Sequence, residues 1–340
     1  LPPYYINLFS GRSSIGKEFW IDRPVEIVQA DKALQRYNAG RRGGVLIVGE
    51  RNSGKTLLSK TIAYRFYKEQ HVYQVFPPAS GSLLEEDLAA ALRKASGAFG
   101  GVHQIMASEP AGRTWIFHDL ELWWERSEAG MRLVSLIGDL IDRYSSKFLF
   151  IVNANPFALA FINKLLRFNS YFIETINCRP FDAEQLRDLI LRRHETSGLK
   201  LTFSKSGEEI RSEVKLASLF HHYFRYSGGN PGVALNAWLA NIRQVYGDNL
   251  LIVHPDIAGT SVFRELPADW YIIAAALVLH KRLDTVRLLR LTDLDEVAME
   301  KLLLSMLRSA IITERLPGLY VLNQYVEPHL LGVLKEKDLL

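Results

Sequence analysis

The sequence has 340 residues, enough for two or three domains with real cores, and its 48% hydrophobic and 23% charged residues exclude wholesale disorder, collagen-like repeats and low-complexity scaffolding. Its 41 basic and 37 acidic residues leave a formal charge of +4, mild beside dedicated nucleic-acid binders, so charge alone names no partner. The single cysteine, Cys178, cannot close an intrachain disulfide and no Cys/His cluster has zinc spacing, so a reducing, cytoplasmic setting is expected.

The chain opens on Leu1, as a piece cut from a longer protein would. Its longest apolar run, WYIIAAALVL at 270–279, has ten residues, whereas a membrane span needs roughly 18 or more, so no crossing is expected. Strand-like runs follow one another as VLIVG at 45–49, VYQVF at 72–76, TWIFH at 114–118, FLFIV at 148–152 and YFIETI at 171–176, with helical periodicity between them, notably over 54–70 and 131–146. Unbroken apolar strands alternating with helices predict an α/β fold with a five-stranded parallel sheet covered on both faces, here over 41–180 behind an N-terminal strap at 1–40.

Directly after the first strand and directly before a helix stand Gly49, Glu50, Arg51, Asn52, Ser53, Gly54, Lys55 and Thr56, which fit G-x-x-x-x-G-K-[ST] at every position, with Leu57 next. The glycines permit backbone angles that aim successive N–H groups at phosphate oxygens. The helix adds its positive N-terminus, Lys55 a cation for the β- and γ-phosphates, and Thr56 a hydroxyl for Mg²⁺. A glycine-rich turn that binds nothing is the plain alternative, but it leaves the strand, motif and helix together unexplained. ATP or ADP with Mg²⁺ is the expected ligand.

The third strand runs into TWIFHDLELWW, which allows two registers. If WIFH is the strand, Asp119 holds the Mg²⁺ shell and Glu121 polarises water. If TWIF is the strand, His118 takes the Mg²⁺-side position and Asp119 that of the base. Solvent-facing charges at a strand end are the plain alternative. The fourth strand ends in Asn153 and Asn155, either of which can orient water or meet the γ-phosphate, although Asn155-Pro156 also reads as a turn. Trp115, Trp123 and Trp124 offer a stacking platform but sit where packing residues are commoner.

After Arg179-Pro180 the pattern changes to helices with no convincing strand, defining a helical segment over 181–264. His221-His222 within it lacks a third ligand for a metal. From 265 to 340, helices near 268–280, 284–291 and 294–309 precede IITER and LYVLN around Leu316-Pro317-Gly318, the outline of a winged helix. This segment holds nine basic and eleven acidic residues, and its third helix opens with Asp293, Asp295 and Glu296, where a DNA reader would need to tolerate phosphates. Packing against the ATPase core or a protein partner is the favoured role; DNA is the lesser one.

With these pieces in place the chain resembles the AAA+ and STAND branch of P-loop ATPases, most closely the initiator-like group with a helical lid and a C-terminal winged helix. WIDRPVE at 20–26 is similar to that group's hhGRxxE segment, with Asp22 in place of the glycine, which implies that Arg23 and Glu26 lie near the adenine. FDAEQLRDLI at 181–190 resembles the opening of the lid, and Gly229-Asn230-Pro231 the Gly-x-Pro whose proline, here Pro231, approaches the base. Arg167, just before the fifth strand, stands where related ATPases carry an arginine that reaches a neighbouring subunit's γ-phosphate; a solvent-facing charge is the alternative. Two departures matter: Gly232 replaces the usual lid arginine, and the acidic strand lacks the adjacent Asp-Glu pair. The resemblance implies a slow, switch-like ATPase whose nucleotide state governs domain arrangement and self-association, with an ATP-regulated DNA-binding factor of the initiator or transposition-regulator type as the alternative.

Overall fold

A strand whose residues are apolar without alternation cannot leave one face in water, and the chain accordingly buries its central strands on both sides. The computed structural model describes residues 1–9, 17–203, 212–255 and 261–340. Strands β1 (Gly44–Val48), β2 (Val72–Val75), β3 (Arg113–Phe117), β4 (Phe148–Ala154) and β5 (Phe172–Asn177) form an all-parallel sheet in the order β2-β3-β4-β1-β5. Every residue of β1 and β4 is buried, and in β3, the third strand with a neighbour on each edge, only Arg113 is half-buried. The pairs Val48↔Ala154 and Phe117↔Val152 bring the ends of β1, β3 and β4 to one edge of the sheet, so the loops that follow them emerge together.

The helix Arg132–Tyr144 buries Leu133, Val134, Ile137, Leu140 and Ile141, the three- and four-residue spacing that makes one apolar stripe. Trp115, Trp123 and Trp124 are fully buried in the same core, so they pack and offer no open stacking face.

The chain does not divide into four successive segments. One unit joins Leu1–Arg23 to Arg179–Thr260, the other Pro24–Cys178 to Ser261–Leu340. The strap expected over 1–40 is cut because its two parts bury different side chains: Tyr5, Phe9 and Ile21 share a core with Phe220, Tyr223 and Trp238, whereas the helix Pro24–Asn38 lies against β5. Residues 268–336 adopt a winged-helix order, with helices Ala268–His280, Thr285–Leu291 and Glu296–Arg308 before the antiparallel hairpin Ile312–Leu316/Leu319–Leu322, to which Leu283–Asp284 adds a third strand.

In the other unit the helices Ala183–Thr196, Glu213–Ser227 and Pro231–Ala240 are joined by a small sheet that sequence periodicity does not reveal: Lys200–Thr202 and Ile242–Tyr246 flank Asn249–Ile252. Strands of three to five residues carry too little alternation to stand out, and the signal that marks them is the two-residue turn Gly247-Asp248. His221 and His222 have ring centroids 6.3 Å apart, and His222 lies against His254 instead, at 4.4 Å. Among the described residues no group of three His, Cys, Asp or Glu side chains is placed to hold a metal, and no helix is long and apolar enough to cross a membrane.

Candidate functional site

The loop from β1 into the helix Lys55–Phe66 has a shape that only its own residues allow. Asn52 and Gly54 adopt positive φ of 64° and 92°. A Cβ on Gly49 would come within 2.6 Å of Ser53 Oγ and 2.9 Å of Cys178 Cβ, so the loop closes over that position only because it is glycine. No side chain caps the helix; the N–H groups of Leu57 and Leu58 bond to the Gly54 carbonyl, which leaves those of Lys55 and Thr56 as the donors an anion would meet. Lys55 is buried and its Nζ donates to the carbonyls of Gly49 (2.7 Å) and Glu50 (3.0 Å), which holds the ammonium inside the loop's curve. Burial pulls its pKa down, with the charges of Glu121 and Asp119 acting the other way. Thr56 and Leu57 are exposed at the start of the helix. Cys178, directly after β5, donates its Sγ–H to the Ser53 carbonyl at 3.2 Å and so braces the loop from behind.

On the adjoining edge, β3 ends at Phe117, which places His118 first after the strand and Asp119 second. The His118 ring is buried, stacks on Phe76 at 4.3 Å, and its Nδ1 lies 2.9 Å from Asn153 Nδ2, which also donates to Ser59 Oγ at 3.1 Å. Burial pushes the His118 pKa down to about 4, so the ring is neutral. Asp119 turns the chain with φ 52° into a short 3-10 turn, Leu120–Leu122. That turn carries Glu121 inward, where its Oε2 accepts from the Asn155 backbone N–H at 3.0 Å. Burial raises the Glu121 pKa. It acts the same way on Asp119, but the charge and hydrogen bond of Lys281, with the charge of Lys55 behind them, hold the Asp119 carboxyl below its usual range.

The two asparagines divide their duties. Asn155 caps the helix Pro156–Leu166 by accepting from Phe157 N–H at 2.8 Å, and its amide donates to the Val278 carbonyl at 3.0 Å. Asn153 reaches Ser59 on the P-loop helix, and its Oδ1 is buried without a hydrogen-bond partner. Arg167 is exposed at the C-terminal cap of Pro156–Leu166 with φ 49°. In the other unit, Arg23 is buried, donates to the Arg179 carbonyl at 2.8 Å and lies over the Phe181 ring at 4.4 Å. Phe181 N–H bonds to Gly229 O at 2.8 Å, and Asn230 caps the helix that Pro231 opens.

The winged-helix segment adds groups that sequence reasoning missed. Lys281 Nζ meets Asp119 Oδ1 at 2.6 Å, Glu327 meets the P-loop residue Arg51 at 2.9 Å, and Lys335 meets Glu50 at 3.0 Å. Buried Glu125 receives Arg287 Nε at 3.0 Å and Arg290 Nη2 at 2.7 Å, while Arg287 also donates to the Ser80 and Trp124 carbonyls. None of these partners is closer than 160 positions in sequence, so no local pattern announces them. The strand thus has the TWIF register, which would put His118 on the Mg²⁺ side, but Thr56 and Asp119 are hard oxygen donors of the kind Mg²⁺ takes and neutral His118 is not, so the chemistry moves that place to Asp119.

No protein-family model matches the chain, and no curated protein matches it. Solved structures do. The Aeropyrum pernix ORC2 protein, solved as ADPNP-ADP complexes, is 13% identical with a TM-score of 0.55, over 96% of this chain and 98% of that one. A Walker-type ATPase of Pyrococcus abyssi is 14% identical at 0.51, over 95% and 99%, and Cdc6p of Pyrobaculum aerophilum is 10% identical at 0.50, over 98% of each. Identities this low speak for the fold alone, and end to end the chain has the fold of the ORC and Cdc6 group of AAA+ ATPases.

Proposed function

We propose that the chain binds ATP with Mg²⁺ and hydrolyses it slowly, as a switch whose nucleotide state sets the arrangement of its parts and its self-association. The observation that carries this reading is the P-loop itself: a complete motif, a closed glycine at Gly49, an uncapped helix and an inward lysine. The Aeropyrum pernix protein of the same fold, solved with ADPNP and ADP, supports the choice of ligand.

The backbone of residues 49–56 and Lys55 would hold the β- and γ-phosphates, with Leu57 at the mouth. Thr56 and Asp119 would hold Mg²⁺, which when bound offsets phosphate charge. Glu121 is the proposed base for the attacking water: it is a buried carboxyl turned inward by the short turn after β3 and held by the Asn155 backbone N–H. Asn155, fixed by its cap and by Val278, positions the Glu121 carboxylate through its backbone N–H, and Asn153 is the neighbouring amide with an open acceptor. Arg23 and Pro231 are proposed for the adenine, and exposed Arg167 for a neighbouring copy's γ-phosphate. The DNA-binding reading is weaker, because Asp295 caps the third winged helix with Glu296 behind it and so opens that helix with negative charge.

Calorimetry on the full chain tests the reading. Wild type should bind ATP with Mg²⁺, Lys55→Ala should lose tight binding, and Glu121→Gln should bind but fail in single-turnover hydrolysis. Undiminished ATP affinity in Lys55→Ala would sink it.

A further inference from the structure

Asp119 is placed beside the nucleotide by either strand register, yet its carboxylate is held by a residue from the far end of the chain. Lys281 follows the helix Ala268–His280 and adopts φ 64°, a left-handed conformation that a residue with a side chain takes only when its surroundings impose it. Here they do. The Val278 carbonyl accepts from Asn155, the His280 ring packs on Trp124 at 4.8 Å, and Arg282 donates to the carbonyls of Ala79 and Pro78. Contacts at three alternate positions, 278, 280 and 282, thus pin the end of this helix across the loops that follow β2, β3 and β4. Among the described residues its lysine has Asp119 as hydrogen-bond partner, at 2.6 Å, both side chains about four-fifths buried.

The charges of Lys55 and Lys281 both act on Asp119 and on one another, so the two ammonium groups share one small region of the site. An arriving triphosphate presents a denser anion than one carboxylate, and a lysine on its four-carbon stem can pass from one to the other without moving its backbone. A diphosphate lacks the terminal group.

We propose that Lys281 is the residue that distinguishes ATP from ADP in this site: the winged-helix segment delivers its ammonium to the γ-phosphate in the same chain, and Asp119 parks it there when that phosphate is missing. The proposal rests on the ATP-binding reading above.

Calorimetry of the full chain with a non-hydrolysable ATP analogue and with ADP, both with Mg²⁺, tests it in wild type, Lys281→Met and Lys281→Arg. Lys281→Met should weaken the ATP analogue by roughly 10- to 100-fold, the range for one charge-assisted hydrogen bond, while changing ADP by less than about twofold. Lys281→Arg should keep most of the discrimination. If the methionine variant does not fold, Lys281→Gln, which retains a donor without the charge, gives the same comparison. An unchanged ratio, an equal loss for both nucleotides, or tighter ATP binding would overturn the proposal; the last would make Lys281 a plug that ligand must displace. Failure of wild type to bind either nucleotide would instead bring down the ATP-binding reading itself.

Discussion

On the P-loop side of the site, eight consecutive residues make the cradle, and its shape is set mostly by neighbours in sequence, Gly49 by Ser53, Gly54 by its own φ, Lys55 by the Gly49 carbonyl, with Cys178 bracing it from outside. On the strand-end side the groups that meet come from five stretches: Phe76–Ser80, His118–Glu125, Asn153–Asn155, Val278–Arg282 and Arg287–Arg290. The first side is a local device that survives being read as a string. The second exists only once the winged-helix segment has docked, so its charges are set by packing, and its electrostatics should fail when packing fails.

The largest effect expected concerns whether one chain suffices for both sides. If a second copy contributes Arg167, hydrolysis should rise more steeply than linearly with protein concentration, because an arginine acting in trans supplies roughly 10³ to 10⁵ in rate in other P-loop systems. Arg167→Ala should keep ATP binding and lose that rise. Equal specific activity at every concentration would leave Arg167 a surface charge and the comparison complete within one chain.

Next in size is the fastening of the strand-end side. Glu125→Ala leaves buried Arg287 without its carboxylate, and breaking a buried pair costs about 3–5 kcal/mol. Lys335→Ala removes an exposed partner of Glu50 and should cost about 0–1 kcal/mol. Urea unfolding of both variants measures the contrast; similar losses would mean that docking is no more demanding at the strand end than at the P-loop.

This asymmetry also explains what was legible in the sequence. Strand order could not be read, but strand existence could, because the three central runs are almost unbroken apolar stretches, the two edge runs, with Gln74 and Glu174 in them, are still mostly apolar, and helical periods lie between them. The P-loop was legible at residue level. Asp119 and Glu121 were recognisable as acids in the right place, yet neither the register nor their partners could be read: the strand stops at Phe117 although His118 is buried like a strand residue, and Lys281 looks like any residue after a helix. The division of the first 40 residues between two units was hidden for the same reason, since Tyr5 finds Trp238 only in three dimensions.

The smallest and most diagnostic prediction uses acid to separate the two sides. His118 and His280 are buried on the strand-end side, and burial lowers their pKa values to about 4 and about 3. Their folded values lie below the unfolded one, so between roughly pH 6.5 and pH 4 the unfolded chain takes up protons that the folded chain refuses. Each such histidine should therefore lower stability by ~1.4 kcal/mol per pH unit as pH drops through that window, against the opposite contribution of Glu121, whose raised pKa makes the folded chain the one that takes up a proton. Asp119, whose pKa is depressed, stabilises the fold above its unfolded value of ~3.9 and loses that contribution only at lower pH, so it does not blur the window. His280→Phe keeps a ring against Trp124 and removes one proton site, so its urea-derived stability should depend on pH less steeply by one proton, whatever its absolute value. An unaltered slope would show that His280 titrates normally, and that the winged-helix end is not buried against the strand end as the packing requires.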